Sequence, residues 1–364
     1  MSSFSQTTVA ATPSPSLLAM ADEMQHEQIL YFNDDETGLK GFIGVHNTVL
    51  GPSLGGCRIW NYSSVDAAFL DVLRLSRGMT FKSSISGINL GGGKAVILNN
   101  NPAQRTEKFW KKFAEYVESL GGKYITAEDV GTSTKEIAYM MPVTKHLSGK
   151  PVEQGGGGDP SPFTAYGVYL GLKAAVKKAF GNEKVEGKRV VVQGVGHVGY
   201  YLAEHLVKEG AKVFVTDLNE AAVQKAVQQL GVSAISLNEV YTLDCDVYAP
   251  CALGATLNES TIPQLKCAVV AGAANNQLAN ENADGKRLLE KGIVYAPDFL
   301  INAGGVINCY QEVIGYNRQK AQEKVEGIYD QTLNILQLSD TEKISSHEAA
   351  VKIAMERIKK AKAK

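Results

Sequence analysis

The chain has 364 residues, of which 44% are hydrophobic and 21% charged, and a formal net charge of -1 at pH 7. This length predicts two domains, and the composition is that of a folded globular protein. A nearly neutral chain offers no basic surface for a phosphate backbone, so nucleic acid is excluded as an expected partner. No run of roughly eighteen apolar residues occurs, so no membrane span is expected.

The beginning of the chain and its cysteines indicate the compartment. The first seventeen residues are rich in Ser, Thr, Pro and Ala and lack the basic region and apolar run of a signal peptide, so we interpret them as a frayed tail. Wide cysteine spacing without a CxxC pair argues against a disulfide framework and a structural zinc site. We therefore expect reduced thiols and a cytoplasmic protein. The cysteines are Cys57, Cys245, Cys251, Cys267 and Cys309.

The first half of the chain alternates apolar runs with helical patterns. Residues 27–60 predict strands that pair in a sheet, with a compact loop at 51–58. We assign residues 1–150 to one α/β domain. The elements expected after the loop are a helix at 66–77, a strand at 95–98, a helix at 108–120 and a strand at 124–127.

A break at residues 149–162 contains four consecutive glycines and three prolines, which predicts a domain boundary and a hinge. Strand and helix patterns then alternate, which implies a parallel sheet with helices on both faces. We expect helices at 164–180, 197–209 and 220–230, strands at 190–192, 212–216, 246–249, 268–271 and 293–295, and mostly helical structure at 304–338. A final helix begins at Ser346, and the pattern leaves open whether residues 340–364 return to the first domain.

A glycine-rich motif follows the strand at 190–192, and a helix pattern follows the motif. Its first glycine permits a tight turn, its second lets the backbone approach a pyrophosphate, and its third lets helix and strand pack closely. Asp217 ends the next strand, where a carboxylate binds adenosine ribose hydroxyls and repels a 2′-phosphate. Residues 151–339 therefore predict a doubly wound Rossmann-type domain for NAD. The motif is Gly194-Val195-Gly196-His197-Val198-Gly199, in which we expect His197 to contribute its backbone N–H.

Two lysines lie in glycine-containing segments, Lys82 after Gly78-Met-Thr-Phe and Lys94 after three glycines. Two lysines that share a site lower each other's pKa, and burial adds to this, so such a lysine can act as an acid or base near neutral pH. For Lys82 the alternative is a solvated charge at the end of an apolar helix pattern. For Asp129 the alternative is a cap for a helix after Val130. The histidines show no metal-binding pattern, and no metal site is predicted.

Several segments occur in the order and at about the spacing of one known family. The chain resembles the leucine dehydrogenases, within the Glu/Leu/Phe/Val dehydrogenase superfamily, from about residue 20 to the C-terminal helix. The segments that carry the resemblance are GPSLGGCRIW, RLSRGMTFKSS, GINLGGGKAVI, YITAEDVGTS, PSPFTAYGVY, QGVGHVG, YAPCALGATLN, AGAANNQL, IVYAPDFLINAGGVIN and YNR.

The resemblance implies an activity and residue roles, and it makes residues 1–150 the domain that binds substrate and carries the catalytic lysine. Lys82 would hold the substrate α-carboxylate, Lys94 would be the catalytic lysine, and Asp129 would relay protons with it. Hydride would pass from the substrate Cα to NAD, which leaves a 2-oxo acid and ammonium. Further cofactor contacts would come from Thr164, Ala249, Asn276 and Asn302.

The resemblance also implies an apolar side-chain pocket. The glutamate enzymes carry a lysine and a serine where this chain has Leu54 and Cys309, so no charge is present to pair with a buried carboxylate. We therefore expect Leu, Ile and Val as substrates rather than glutamate. The leucine enzymes usually have valine in place of Cys309, which leaves the ranking open, and phenylalanine dehydrogenases share many of the motifs. The remaining expected wall and floor residues are Ala127, Val306, Gly55 and Gly56.

Two alternatives stand beside this interpretation. A Rossmann oxidoreductase for 2-hydroxy acids would need an Arg–His pair beside the nicotinamide, and none can be assigned. A non-enzymatic NAD-binding sensor should have lost Lys82, Lys94 or Asp129, and all three are present. The resemblance further implies a homo-oligomer, often an octamer, and a cleft between two domains implies closure around a small-molecule substrate.

Overall fold

The computed structural model describes residues 16–99 and 101–363. Most of the predicted tail, residues 1–15, lies outside the described residues. Residues 16 and 17 do not belong to a tail, because the Ser16 hydroxyl accepts the backbone N–H of Ala19 and caps a helix that begins at Leu17. None of the described helices is both long and apolar enough to cross a membrane.

The first domain is built on a mixed five-stranded sheet with the order β1-β2-β4-β3-β5. Strand β2 pairs antiparallel with β1 and β4, whereas β3 pairs parallel with β4 and β5. The elements are α1 (Leu17–Glu23), β1 (Gln28–Asp34), β2 (Leu39–Asn47), β3 (Ser53–Trp60), α2 (Val65–Ile85), β4 (Gly91–Leu98), α3 (Glu107–Ser119), β5 (Tyr124–Ala127) and α4 (Thr134–Met140), with a single 3₁₀ turn at Pro102–Gln104.

Three predicted boundaries in this half are wrong. The compact loop at 51–58 is mostly strand β3, which is hydrogen-bonded on both sides, to β4 and to β5. Strand β4 begins at Gly91 and not at residue 95, because its three glycines pair with the neighbouring strands. Helix α2 continues past residue 77 to Ile85 and therefore includes Lys82.

The second domain contains a six-stranded sheet in the order β11-β10-β9-β6-β7-β8, in which all pairings are parallel. This confirms the predicted doubly wound architecture. The elements are α5 (Ser161–Phe180), β6 (Arg189–Gln193), α6 (His197–Lys208), β7 (Lys212–Thr216), α7 (Glu220–Leu230), β8 (Ser233–Ala234), β9 (Val247–Pro250), β10 (Val269–Val270), α8 (Glu281–Glu290), β11 (Val294–Tyr295), α9 (Asp298–Ile301), α10 (Gly304–Ile314), α11 (Arg318–Glu342) and α12 (Ser346–Lys362), with 3₁₀ turns at Val152–Gln154 and Ile262–Gln264.

Strand β6 lies in the middle of this sheet and is buried on both faces. Val190 and Val192 belong to one hydrophobic core, and Val191 belongs to another on the opposite face. Burial on both faces explains why the sequence of β6 is a continuous apolar run and does not alternate between apolar and polar residues. The predicted helical stretch at 304–338 is divided at Gly315, whose φ of 101° ends α10, and Asn317 caps α11.

The C-terminal helix α12 packs against α2 of the first domain, which answers the question that the sequence pattern left open. Arg357 Nη1 donates to the carbonyl oxygens of Ser84 at 3.1 Å and Ile88 at 2.8 Å. The Ser84 hydroxyl donates to the Ala354 carbonyl at 2.7 Å. Because the last carbonyls of a helix have no partner within it, these contacts stabilise the end of α2 that carries Lys82.

Candidate active site

The centre of the site is an ion pair between β4 and the segment after β5, the two strands that flank β3 in the sheet. Lys94 lies in β4, and Asp129 follows β5; Lys94 Nζ is 2.7 Å from Asp129 Oδ2. The Lys94 side chain is only 8% exposed. The alternative role of Asp129 as a helix cap is wrong, since α4 begins at Thr134 and is capped by Ser133. The structure thus joins two residues that lie 35 positions apart in the chain.

Arg58 of β3 is a second cation on the same carboxylate, and the sequence analysis did not single it out. Its Nε lies 3.0 Å from Asp129 Oδ2, and its Nη1 lies 3.5 Å from Asp71 Oδ2. Burial by itself would raise the pKa of Asp129, but the charges of Lys94 and Arg58 outweigh it and lower the pKa to about 2. Asp129 is therefore ionised at every pH at which the protein would work.

Lys82 extends from α2 across the cleft to the second domain, where its Nζ donates to Asn275 Oδ1 at 2.9 Å. Burial lowers the pKa of Lys82 to about 8; the charge of Lys94 contributes to this, while Asp298 opposes it. The predicted lowering of a lysine pKa is confirmed for Lys82. The alternative of a solvated charge is wrong, because the side chain is partly buried and hydrogen-bonded.

Asn275 links both sides of the cleft, yet the sequence analysis chose its neighbour Asn276. Asn302 Nδ2 donates to Asn275 Oδ1 at 2.8 Å and to the Ala273 carbonyl at 3.0 Å. Asn276 has a φ of 53° and is exposed, and its cofactor role stays a prediction. No pattern distinguishes two adjacent asparagines, so only the tertiary structure reveals which one faces Lys82.

Thr164 lies at the start of α5, beside the first turn of α10. Its hydroxyl donates to the Pro160 carbonyl at 3.0 Å, and a Cβ added at Gly305 would lie 2.7 Å from the Thr164 Oγ1. The two helices therefore approach each other closely at Gly305, and a side chain there would displace the Thr164 hydroxyl. Thr164 and Asn302 thus lie on segments that meet at the cleft; their predicted contacts to the cofactor stay predictions.

The glycine-rich motif between β6 and α6 has the geometry expected of a dinucleotide loop. Gly194 has a φ of 99°, and a Cβ at Gly199 would lie 1.9 Å from the Gly194 carbonyl oxygen. A Cβ at Gly196 would meet nothing within 4 Å, so the space above the second glycine is open. His197 is exposed and begins α6, while Ala249 is buried in β9 opposite Val192.

Asp217 directly follows β7 and is hydrogen-bonded to the glycine-rich loop. Its Oδ2 accepts the backbone N–H of Val195 at 2.8 Å, and its Oδ1 accepts that of Asn219 at 2.8 Å. The carboxylate is thus fixed beside the glycine-rich motif, and its contact with ribose hydroxyls stays a prediction. Val198 is partly buried in the first turn of α6.

The expected side-chain pocket is apolar. Leu54 pairs with Ile125, and Gly56 pairs with Ala127, across β3 and β5. Burial raises the pKa of the Cys309 thiol to about 12, so this side chain is a neutral apolar group. The side chains of the expected wall are all less than 10% exposed: Leu54, Ala127, Val306 and Cys309.

The two glycines of the expected floor have a packing reason of their own. A Cβ at Gly55 would lie 1.8 Å from the Gly93 carbonyl oxygen, and one at Gly56 would lie 2.2 Å from the Glu128 carbonyl oxygen. Both positions therefore require glycine for backbone contact, whatever they contribute to a substrate site. Their role as a pocket floor stays a prediction.

Glu312 of α10 joins the two ends of the predicted hinge. Its carboxylate accepts the backbone N–H groups of Gly149 at 3.0 Å, Lys150 at 3.2 Å and Gly157 at 2.7 Å. The same helix carries Val306 and Cys309. The glycine-rich segment is therefore fastened to the helix that supplies part of the expected pocket wall.

Within residues 16–99 and 101–363, no group of three His, Cys, Asp or Glu side chains is placed to hold a metal ion. All five cysteines are free thiols.

Comparison with known proteins identifies the family. Residues 26–146 match the Glu/Leu/Phe/Val dehydrogenase dimerisation domain, and residues 155–219 and 215–364 match the Glutamate/Leucine/Phenylalanine/Valine dehydrogenase domain. This chain belongs to the Glu/Leu/Phe/Val dehydrogenase family. It is therefore an amino-acid dehydrogenase, and the resemblance inferred from its motifs is confirmed.

Individual relatives of this dehydrogenase differ in the amino acid that their names give. A leucine dehydrogenase of Bacillus cereus is 50% identical over 93% of this chain and 92% of its own. A phenylalanine dehydrogenase of Bacillus thermotolerans is 42% identical over 92% of this chain and 89% of its own. The crystal structure of L-tryptophan dehydrogenase from Nostoc punctiforme superimposes with a TM-score of 0.81 at 39% identity, covering 95% of this chain and 100% of that one.

Proposed function

We propose that this dehydrogenase oxidatively deaminates branched-chain L-amino acids with NAD⁺. L-Leucine would give 4-methyl-2-oxopentanoate, ammonium and NADH, reversibly, and Ile and Val would react in the same way. The observation that carries the proposal is the buried Lys94–Asp129 pair at 2.7 Å, with Lys82 close by and an apolar wall beside them. The 50% identity to a leucine dehydrogenase supports leucine as the substrate.

The two lysines would have separate tasks. Lys82 is a cation below its pKa of about 8, suited to a substrate α-carboxylate that replaces Asn275 as its partner. Lys94 is held by Asp129 and would exchange protons with the atoms attached to the reacting carbon: it would take a proton from the attacking water and give one to the amine that leaves the carbinolamine as ammonia. Asp129, ionised and anchored by Arg58, would keep the Lys94 ammonium in place between proton transfers.

The glycine-rich loop fits a dinucleotide. Open space above Gly196 and the N-terminus of α6 suit a pyrophosphate, and Asp217 lies where ribose hydroxyls would be bound. When bound, the nicotinamide accepts the hydride released from the substrate Cα. The further contacts proposed are those of Thr164, Ala249, Asn276 and Asn302.

The carboxylate of Asp217 should determine the preference for NAD⁺. We expect Asp217→Ala to raise KM for NAD⁺ and to narrow the discrimination against NADP⁺, because a 2′-phosphate would no longer be repelled. Initial rates with each cofactor measure this, and Asp244→Ala is the control, since Asp244 is an exposed carboxylate in the same domain. Cofactor kinetics equal to those of the wild type would contradict the ribose role.

The residue types of the expected pocket wall favour aliphatic side chains, but the family includes enzymes named for aromatic ones. Leu54, Ala127, Val306 and Cys309 supply no charge and no hydrogen-bonding side chain except the neutral thiol. A glutamate side chain would lose its hydration there without compensation. A pocket of this kind separates substrates that differ by one methylene by only about 1–3 kcal/mol, so phenylalanine is the second candidate.

A substrate panel tests the proposal. NADH formation at alkaline pH is measured with L-Leu, L-Ile, L-Val, L-Phe and L-Glu, with L-lactate and 2-hydroxyisocaproate as controls. We expect the highest kcat/KM with the branched-chain amino acids. A preference for Phe would leave the proposed deamination standing and contradict the proposed aliphatic pocket. Activity only on hydroxy acids would overturn the roles of the lysines. No activity at all would favour an NAD-binding sensor.

The assembly is proposed to be a homo-oligomer, with an octamer implied by the resemblance to the leucine dehydrogenases. Support comes from the match of residues 26–146 to a domain described as a dimerisation domain. Native mass spectrometry of the purified protein would give the number of subunits.

A further inference from the structure

Asp129 Oδ2 is contacted by two cations that differ in one chemical property. Lys94 Nζ lies 2.7 Å away and Arg58 Nε lies 3.0 Å away, so both meet the same oxygen atom. A guanidinium keeps its proton at every accessible pH, whereas a lysine ammonium can release one. Because like charges at one site disfavour each other, Lys94 is the member of this cluster that yields a proton.

Arg58 is itself held from the opposite side. Its Nη1 is 3.5 Å from Asp71 Oδ2, and the Tyr62 hydroxyl donates to that oxygen at 2.5 Å. Arg58 is about one-fifth exposed and Asp129 slightly less, so solvent screens this cluster only in part. The result is a chain Tyr62–Asp71–Arg58–Asp129–Lys94 that runs from α2 and the segment before it, through β3, to the lysine.

We propose that Arg58 is a positioning residue that shares the Asp129 carboxylate with Lys94 and thereby sets the pH at which Lys94 can release its proton. The proposal rests on the proposed function, since it assigns the proton transfer to Lys94. In the protein as it stands, the carboxylate is divided between two cations. Without the charge of Arg58, the Asp129 carboxylate would be paired with Lys94 alone. The Lys94 ammonium would then hold its proton more tightly.

Of the other groups near Asp129, Lys82 changes charge near neutral pH, because burial lowers its pKa to about 8. It would bind the substrate α-carboxylate as a cation, so its loss of a proton belongs to a descending limb of kcat/KM and not to the ascending one. Burial raises the pKa of the Cys57 thiol and of the Tyr124 phenol, and burial together with Asp71 raises that of Tyr62, so all three stay neutral. The charged groups that remain around Asp129, from β3, β4 and α2, are Arg58, Lys94, Lys82 and Asp71.

The pH dependence of L-leucine oxidation tests this. Arg58→Gln keeps a hydrogen-bond donor and removes the charge. In this variant the ascending limb of kcat/KM against pH should shift to higher pH by about one pH unit. This corresponds to about a tenfold loss of activity below the limb. Arg58→Lys should return the limb toward the wild-type position. Arg189→Gln, which removes a surface guanidinium bound to Asp244 in the other domain, should leave it unchanged.

A second variant predicts a shift of the opposite sign. Asp71→Asn removes an anion that partly neutralises Arg58, so the limb should move to lower pH. A merely structural role would lower the activity of both variants without shifting their limbs in opposite directions. Thermal unfolding of each variant shows whether it folds. If Arg58→Gln does not fold, the direction of the pH shift in Asp71→Asn still tests the proposal.

The outcomes separate this proposal from the proposed function. If Lys94→Ala is inactive but both Arg58→Gln and Asp71→Asn keep the wild-type limb, the role of Arg58 is overturned and that of Lys94 stands. If Lys94→Ala retains its turnover, the assignment of the proton to Lys94 fails, whatever the arginine variants show.

Discussion

Lys94→Ala is expected to lower kcat for L-leucine by about 10²–10⁴-fold while the affinity for NAD⁺ stays that of the wild type. The lysine is buried beside Asp129 and is the proposed proton carrier, whereas the glycine-rich loop lies in the other domain. Asp129 would keep Arg58 as a partner in this variant, so no unpaired charge is left buried and folding should survive. Steady-state NADH formation measures kcat, and fluorescence titration measures the NAD⁺ affinity.

The matched control is Lys145→Ala, which removes an exposed lysine of the same domain. It should retain the kcat of the wild type. A Lys94→Ala enzyme with normal kcat would sink the assignment of the active site, since no other lysine of the first domain is both buried and paired with Asp129. Loss of NAD⁺ affinity together with activity would instead point to a general structural defect.

Gly55→Ala is expected to destabilise the protein by about 3 kcal/mol and to abolish activity. The added Cβ would stand 1.8 Å from the Gly93 carbonyl oxygen, a backbone atom that cannot rotate away. Relief requires that β3 and β4 separate, and these strands carry Arg58 and Lys94. Urea unfolding followed by circular dichroism gives the free energy of unfolding.

Gly327→Ala is the control for this substitution. Gly327 lies on the exposed side of α11, and a Cβ there would meet nothing within 4 Å. The same chemical change should therefore stabilise the protein by about 0.5–1 kcal/mol, because alanine favours the helix. A Gly55→Ala protein as stable as the wild type would contradict the close backbone approach between β3 and β4.

The centre of the nucleotide-binding half was predicted because its signals are local, whereas helix α8, the short strand β8 and the short helix α9 were not predicted. The glycines of the motif, the apolar run of β6 and the carboxylate of Asp217 each have a reason that lies within thirty or so residues of chain. Strand β7 and helix α7 have the bounds that were expected. The motif glycines also have the φ value, the open space and the close packing that their positions predict.

The predicted strand boundaries were wrong where glycines are required by close packing against other segments of the chain. Glycines have a low propensity for strands. For this reason the sequence analysis interprets residues 51–58 as a loop and places the start of β4 at residue 95 instead of Gly91. In the structure, Gly55 is needed because a Cβ there would lie 1.8 Å from the backbone carbonyl oxygen of Gly93, and a Cβ at Gly93 would lie 2.7 Å from the ring of Tyr124. A local pattern cannot distinguish this use of glycine from its use in a turn.

Sequence alone therefore determined the α/β class, the dinucleotide loop and the family, because each depends on residue types at short, ordered spacings. Only the tertiary structure decided that Arg58 joins Lys94 on one oxygen of Asp129, that Asn275 rather than Asn276 meets Lys82, and that α12 stabilises the end of α2. Those contacts link elements 35 to about 270 residues apart in the chain, and they depend on strand order and helix packing, which periodicity does not encode.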